Sequence, residues 1–152
     1  MTEQELAGEL RALMSNGTSE LRRRFDAYRS SVIELANKLE FQANSALKPK
    51  GQSVKFRWNW TQQPQGVRFL ELAGSGRSDP GAKTLLSQFG TEAAAAASRF
   101  RDEANRATER YQSAASQLVA GSGLGGRVQV SVLWMNQQAG PNTPRMQFKR
   151  NR

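Results

Sequence analysis

The sequence predicts an α+β protein in which two long helices pack on one face of a small, mainly antiparallel sheet of two hairpins, with a short helix in front. Long segments with apolar residues at steps of three and four alternate along the chain with short segments of alternating apolar and polar residues. The first pattern is typical of amphipathic helices and the second of half-buried strands. A length of 152 residues suits one domain with its own core, so we expect a single domain over residues 1–152.

Residues 1–17 predict a short acidic helix. Thr2 and Glu5 have the spacing of a capping box, and the Ser-Asn-Gly sequence that ends at Gly17 is typical of a helix end. Over residues 1–20, four Glu against one Arg give a net charge of −3. An acidic first turn suits the helix dipole, and the segment is also the natural place to meet a basic neighbour.

The first long helix is predicted over residues 19–47, and the rest of the chain is organised around it. Its apolar residues follow a heptad seam that only Gln42 interrupts. The seam consists of Leu21, Phe25, Tyr28, Val32, Leu35, Leu39 and Ala46. A seam of this length needs a long partner. Ile33 and Phe41 lie off the seam, so a second side of the helix also needs cover.

A second long helix is predicted from Pro80, which follows the N-cap residue Asp79. Its apolar stripe consists mostly of small residues and includes Ala96, Phe100 and Ala107. Because alanine lets another helix approach closely, we expect this stripe to pack on the seam of the first helix, within one chain or between copies. The sequence leaves open whether Gly90 breaks the second helix.

Four short segments predict the strands. Residues 54–60 place aromatic and polar side chains on opposite faces, and residues 67–72 follow after a turn, so these segments form a hairpin. Residues 128–134 alternate in the same way, and a last strand lies in a loop and basic C-terminal arm over residues 136–152. If the helices cover the apolar face of one common sheet, the opposite face is basic. That face gathers Lys55, Arg57, Arg68, Arg127, Arg145 and Lys149.

The charge balance is strongly basic, with 22 Lys and Arg against 13 Asp and Glu and a formal net charge of +9. This charge favours polyanions such as DNA or RNA, bound through their phosphates, although it also serves solubility or an acidic protein partner. Alternation alone does not show which face of the sheet the helices cover. The basic face is therefore an expectation that depends on the packing.

Composition and motif spacing argue against catalysis. The absence of Cys and His removes thiolate nucleophiles, disulfides and the commonest general base and metal ligands. Residues 76–84 have the setting of a phosphate-binding loop, but Lys83 comes one residue late, and Asp79 places a negative charge where a phosphate needs donors. The glycines at 121, 123 and 126 follow a helix and precede a strand, the reverse of the dinucleotide arrangement. We predict no enzyme, no cofactor and no metal site.

Two classes of function remain. The first is a structural or assembly protein, a repeated subunit of a large homo-oligomeric complex that contacts nucleic acid, such as a small head-tail joining or tail component of a phage virion. The alternative is a free-standing basic nucleic-acid-binding protein with little sequence specificity.

The expected partners are copies of the chain, other subunits of an assembly, and DNA or RNA. We expect no membrane contact, because no apolar run approaches about 18 residues, and no signal peptide is evident. The predicted location is the cytoplasm where the chain is made and, for the first class, the virion.

Overall fold

The structure, a computed structural model, describes residues 1–61, 66–136 and 143–151. The helix α1 is Glu3–Leu47, and a short 3-10 turn follows it at Lys48–Lys50. The first hairpin consists of β1 at Lys55–Trp60 and β2 at Val67–Ala73. The helix α2 is Pro80–Gly121, and the second hairpin consists of β3 at Gln129–Asn136 and β4 at Pro144–Asn151. The predicted α+β class with two long helices and antiparallel hairpins is confirmed.

The chain divides into two compact units, each with one hairpin and part of each helix. We call residues 27–100 the central unit, and residues 1–26 with 101–152 the terminal unit. In the described residues the hairpins form two separate two-stranded antiparallel sheets, so the prediction of one common sheet is wrong. Alternation identifies a strand and its two faces, but it carries no information on which hairpins lie side by side. The predicted loop between β3 and β4 falls largely outside the described residues.

The short N-terminal helix predicted over residues 1–17 is not a separate element, because α1 continues through the Ser-Asn-Gly sequence. Gly17 is buried there, and a Cβ at this position would overlap the side chain of Met146 and press on Tyr111. The next residue, Thr18, exchanges hydrogen bonds with the backbone of Met146. Gly17 therefore makes room for β4, and the helix tolerates a propensity cost of about 1 kcal/mol.

One face of α1 is buried along its length. The seam residues Leu21, Phe25, Tyr28, Val32 and Leu39 are buried, and Leu35 is half-buried. Beyond Leu39 the buried positions are Ala43 and Leu47, whereas Ala46 is exposed. A strict heptad repeat drifts by about 20° per seven residues relative to a straight helix, which explains why the buried positions shift along α1.

The start of α2 is capped as predicted. The N–H of Ala82 donates to Oδ2 of Asp79 at 2.9 Å, and this hydrogen bond is the main reason that the pKa of Asp79 is lowered. The ammonium of Lys50, 3.5 Å from Oδ1, acts in the same direction against the opposing effect of desolvation. Gly90 does not break α2. It faces Leu70 of β2, whose Cδ1 occupies space that a Cβ would need.

Aromatic side chains dominate the core of the central unit. Phe56 and Trp58 of β1 pack on Phe89 of α2, with ring centroids 6.3 and 5.3 Å apart. Tyr28 of α1 stacks on Phe100 of α2 at a centroid distance of 5.6 Å. The helices therefore cover the aromatic face of β1, and the polar face points outward. In the terminal unit a smaller cluster joins Leu6, Val119 and Val128.

Replacing Gly17 by Ala should lower the free energy of unfolding by about 1 to 3 kcal/mol, although alanine is the better helix former. The new methyl group has to displace Met146, whose side chain is itself fully packed at 1% exposure. Urea unfolding followed by circular dichroism measures this change.

Gly8→Ala is the matched control, because Gly8 lies in the same helix and its Cβ would meet no described atom within 4 Å. This substitution should raise the free energy of unfolding by about 1 kcal/mol. If the two variants unfold alike, α1 and β4 do not make the close contact described here.

Candidate interaction surfaces

The outer face of the first hairpin carries charges of both signs. Lys55, Arg57 and Asn59 alternate along β1 with the half-buried tryptophans and are exposed. On β2, Glu71 lies opposite Arg57 and Arg68 lies opposite Asn59. Residues directly opposite each other in an antiparallel pair share a face. This face is therefore basic, with one acid among three cations.

The strand β2 contains an irregularity that the sequence pattern only hinted at. Between the pairs Arg57 with Glu71 and Asn59 with Arg68, two residues of β2 stand opposite the single residue Trp58. The extra residue makes a β-bulge, in which Phe69 has a φ of 57°. A bulky side chain in this left-handed region costs about 1 kcal/mol or more. The bulge also explains why alternation along β2 is imperfect.

The outer face of the second hairpin is also basic. Arg145 lies opposite Met135, and Lys149 lies opposite Ser131, with both cations exposed. Arg127 is exposed too, but it lies in the turn before β3 and not on the strand. The opposite face of this hairpin turns Met146 into the core and directs Trp134 to α2, where its Nε1–H donates to Oδ1 of Asn105 at 2.8 Å.

The predicted basic face required one common sheet, whereas the described strands form two. Lys55, Arg57 and Arg68 belong to the central unit, whereas Arg127, Arg145 and Lys149 belong to the terminal unit. All six are exposed. The structure thus provides two basic hairpin faces, one in each unit.

The seam residues meet the alanine stripe within the units. Val32 and Leu35 of α1 and Ala96 of α2 line one groove of about 260 Å³. Ala107 and Phe100 are buried on α2, and Tyr28 supplies the stacking contact to Phe100. In the terminal unit, Leu21 and Phe25 are buried near an ion-pair network. Its members are Glu20, Arg24, Glu103 and Arg110, at separations of 3.1 to 3.7 Å.

A single asparagine fastens the first hairpin to α1. Nδ2 of Asn44 donates to the carbonyl of Val54 at 3.1 Å, and the N–H of Val54 donates to Oδ1 of Asn44 at 2.8 Å. The side-chain amide thus satisfies both backbone groups of a buried residue just before β1. Buried backbone groups without partners cost about 1 to 3 kcal/mol, so this pair of hydrogen bonds constrains the hairpin strongly.

Two further helix side chains hold the second hairpin in the same way. Nε2 of Gln112 donates to the carbonyl of Val130 at 2.9 Å, and the N–H of Val132 donates to Oε1 of Gln112 at 2.8 Å. On α1, Oγ1 of Thr18 accepts from the N–H of Met146 at 3.1 Å and donates to its carbonyl at 3.4 Å. We refer to Thr18, Asn44 and Gln112 as the backbone anchors.

The backbone anchors were not identified from the sequence. Each is a polar residue beside buried apolar positions of a helix: Asn44 follows the buried Ala43, and Gln112 follows the half-buried Tyr111. A polar residue at the border of an apolar stripe was the available signal. It does not distinguish a strand anchor from a solvated side chain, because the strand that it meets is distant in sequence.

The acidic N-terminal segment meets a basic partner within the terminal unit. Glu3 forms an ion pair with Arg150 of β4 at 3.6 Å. Beside this pair lies an apolar groove of about 190 Å³ whose lining includes Leu10, Met14 and Phe148. Both partners are half-exposed, so the ion pair itself contributes little to stability.

Four large apolar side chains among the described residues of the central unit are exposed in part or for the most part: Ile33, Phe41, Phe69 and Leu70, of which Ile33 is 43% and Leu70 is 37% exposed. Phe41 is 73% exposed and Phe69 is 68% exposed. Ile33 and Phe41 are eight residues apart on α1 and so lie on one side of the helix. This second side of α1 was expected to need cover, and the described part of the chain does not bury it.

No group of three or more His, Cys, Asp or Glu is close enough to hold a metal ion in residues 1–61, 66–136 and 143–151. Over the same residues, no helix is both long enough and apolar enough to span a bilayer.

Asn44→Ala should lower the free energy of unfolding by about 1 to 3 kcal/mol, because both backbone groups of the buried Val54 lose their partner. Asn37→Ala is the matched control: Asn37 is exposed on the same helix, so its replacement gains the same helix propensity and loses no strand contact. Thermal unfolding of both variants gives the difference. Equal stability of the two would show that Asn44 does not fasten the hairpin.

Compared with family models, with curated protein sequences and with solved structures, the chain finds no match among them. What this protein does has therefore to be inferred from its own residues and their geometry.

Proposed function

We propose that this protein is a non-enzymatic structural subunit that assembles with copies of itself into a large homo-oligomeric complex, such as a small head-tail joining or tail component of a phage virion. The observation that carries the proposal is the set of exposed large apolar side chains of the central unit, Ile33, Phe41, Phe69 and Leu70. Single exposed apolar residues are common on monomers. Here two share one side of α1 and two are adjacent on β2.

The magnitudes favour repeated contacts over one isolated contact. Covering a Phe, Leu or Ile side chain contributes about 1.5 to 3 kcal/mol, so covering all four contributes at most about 6 to 12 kcal/mol. Association itself costs about 4 to 15 kcal/mol in lost freedom of motion. One such contact is therefore marginal. A closed assembly, in which every subunit makes the contact more than once, gains from linking the contacts together.

The basic hairpin faces support a contact between this assembly and nucleic acid. Lys55, Arg57 and Lys149 are exposed and form no salt bridge within the described residues. Free cations on an outward strand face suit phosphates, which are bound without reading the base sequence. Copies arranged around a channel would add their fields, so the potential of the assembly exceeds that of one chain.

The first test is the native mass of the protein, measured by light scattering over a range of concentrations. The expected mass is a multiple of the monomer mass. The double variant Ile33→Ser with Phe41→Ser should need a concentration at least about tenfold higher to assemble, which corresponds to a loss of about 1.4 kcal/mol. Its unfolding free energy should change by less than about 1 kcal/mol, because both side chains are exposed.

Asn37→Ser is the matched control, since Asn37 is exposed between the two apolar positions on α1.

In the assembled sample, the logarithm of DNA affinity should fall linearly with the logarithm of salt concentration, with a slope about 0.7 to 0.9 smaller in Lys55→Gln. Lys38→Gln, an exposed lysine of α1, controls for net charge. A wild-type protein that stays monomeric at every concentration contradicts the proposal.

A further inference from the structure

The stretch Arg68–Glu71 of β2 has an unusual exposure for a strand. All four of its residues are exposed, whereas a half-buried strand exposes every second residue. The bulge at Phe69 produces this exposure, because it interrupts the alternation opposite Trp58. The four residues are, in order, a cation, two apolar side chains and an anion.

This stretch also belongs to an edge strand of its sheet. The sheet contains only β1 and β2 in the described residues, so β2 pairs with β1 on one side alone. Such an edge is a ready template for another extended segment. Leu70 rests against Gly90 of α2 with part of its side chain, while Phe69 is 68% exposed and has the guanidinium of Arg68 over its ring at 4.9 Å.

The charges of this stretch are available for a partner. Neither Arg68 nor Glu71 forms a salt bridge among residues 1–61, 66–136 and 143–151. Within its own hairpin Arg68 lies opposite the neutral Asn59. Glu71 lies opposite Arg57, but no ion pair closes between them.

We propose that Arg68–Glu71 is a self-docking surface, which meets the same stretch of a second copy in antiparallel orientation. A two-fold axis between Phe69 and Leu70 places each Arg68 opposite Glu71 of the other copy and each Phe69 opposite Leu70 of the other copy. The order cation, apolar, apolar, anion is complementary to itself only in this orientation. A parallel arrangement sets Arg68 against Arg68 and Glu71 against Glu71, which is repulsive.

The identity of the partner follows from this complementarity. A contact that uses the same patch on both chains is the isologous contact of a two-fold dimer. Four residues on each side are fewer than a stable interface of standard size contains, so this contact alone is weak and concentration-dependent. The inference rests on the proposed function, in which several contacts of this kind act together in one assembly.

Charge variants test the docking surface. With Arg68→Glu both charges of the stretch are negative, and with Glu71→Arg both are positive. Two copies of the same variant then repel each other, so each variant alone should self-associate at least about tenfold more weakly than the wild type. Mixed in equal amounts, the two variants should associate again, because each supplies the charge that the other lacks. The double variant Arg68→Glu with Glu71→Arg should associate about as well as the wild type. Analytical ultracentrifugation gives the dissociation constants.

Two further variants distinguish a loss of docking from an effect of net charge or of folding. Lys83→Glu makes the same change in net charge as Arg68→Glu at an exposed position of α2, and it should associate like the wild type. Phe69→Gly suits the φ of 57° and removes the ring, so it should keep or raise the melting temperature while it weakens association.

The outcomes separate this inference from the proposed function. If the wild type assembles and the single charge variants assemble equally well, the docking surface is wrong while the subunit proposal stands. If mixing the two variants fails to restore association, the antiparallel arrangement is wrong. If the wild type is monomeric throughout, both proposals fail.

Discussion

Hydrogen bonds from helix side chains to strand backbones are the interactions on which the rest of this structure depends. A two-stranded hairpin is marginally stable in water, and each hairpin here has unpaired backbone groups that need partners. Thr18 and Asn44 each give a donor and an acceptor to the backbone of one residue, Met146 of β4 and Val54 just before β1. Gln112 donates to the carbonyl of Val130 and accepts from the N–H of Val132, both in β3. These bonds fix the hairpins on their helices, and they thereby decide which strand faces become core and which face outward.

The consequence for function is that helix side chains hold the backbone of each hairpin. The aromatic side chains of β1 turn inward onto Phe89 and Tyr28, and the cations of β1 and β4 turn outward. In the bulge of β2, Phe69 keeps a costly backbone conformation with most of its ring in solvent. A strained residue with an exposed apolar side chain is best explained if another molecule covers that part of the surface.

The sequence predicted those features that depend on local periodicity. The buried seam of α1 and the strands follow from steps of two, three and four residues, and the cap at Asp79 follows from the local Asp-Pro sequence. Alternation left open which face of β1 turns inward. The features that it did not predict depend on contacts between distant residues. Gly17 resembled a helix end, but its role is set by Met146 of β4, and the strands form two sheets, which alternation does not reveal. The six basic residues are exposed, but the described strands that were expected to form one sheet form two.

In the proposed assembly, the exposed apolar residues of the central unit are contact points between copies of the chain. Imaging of the purified protein by electron cryo-microscopy, at a concentration where light scattering detects association, tests this most directly. The predicted result is a closed particle of repeated subunits in which Phe41 and Phe69 are buried between neighbours. Single chains, or a particle in which both side chains remain in solvent, would contradict the account.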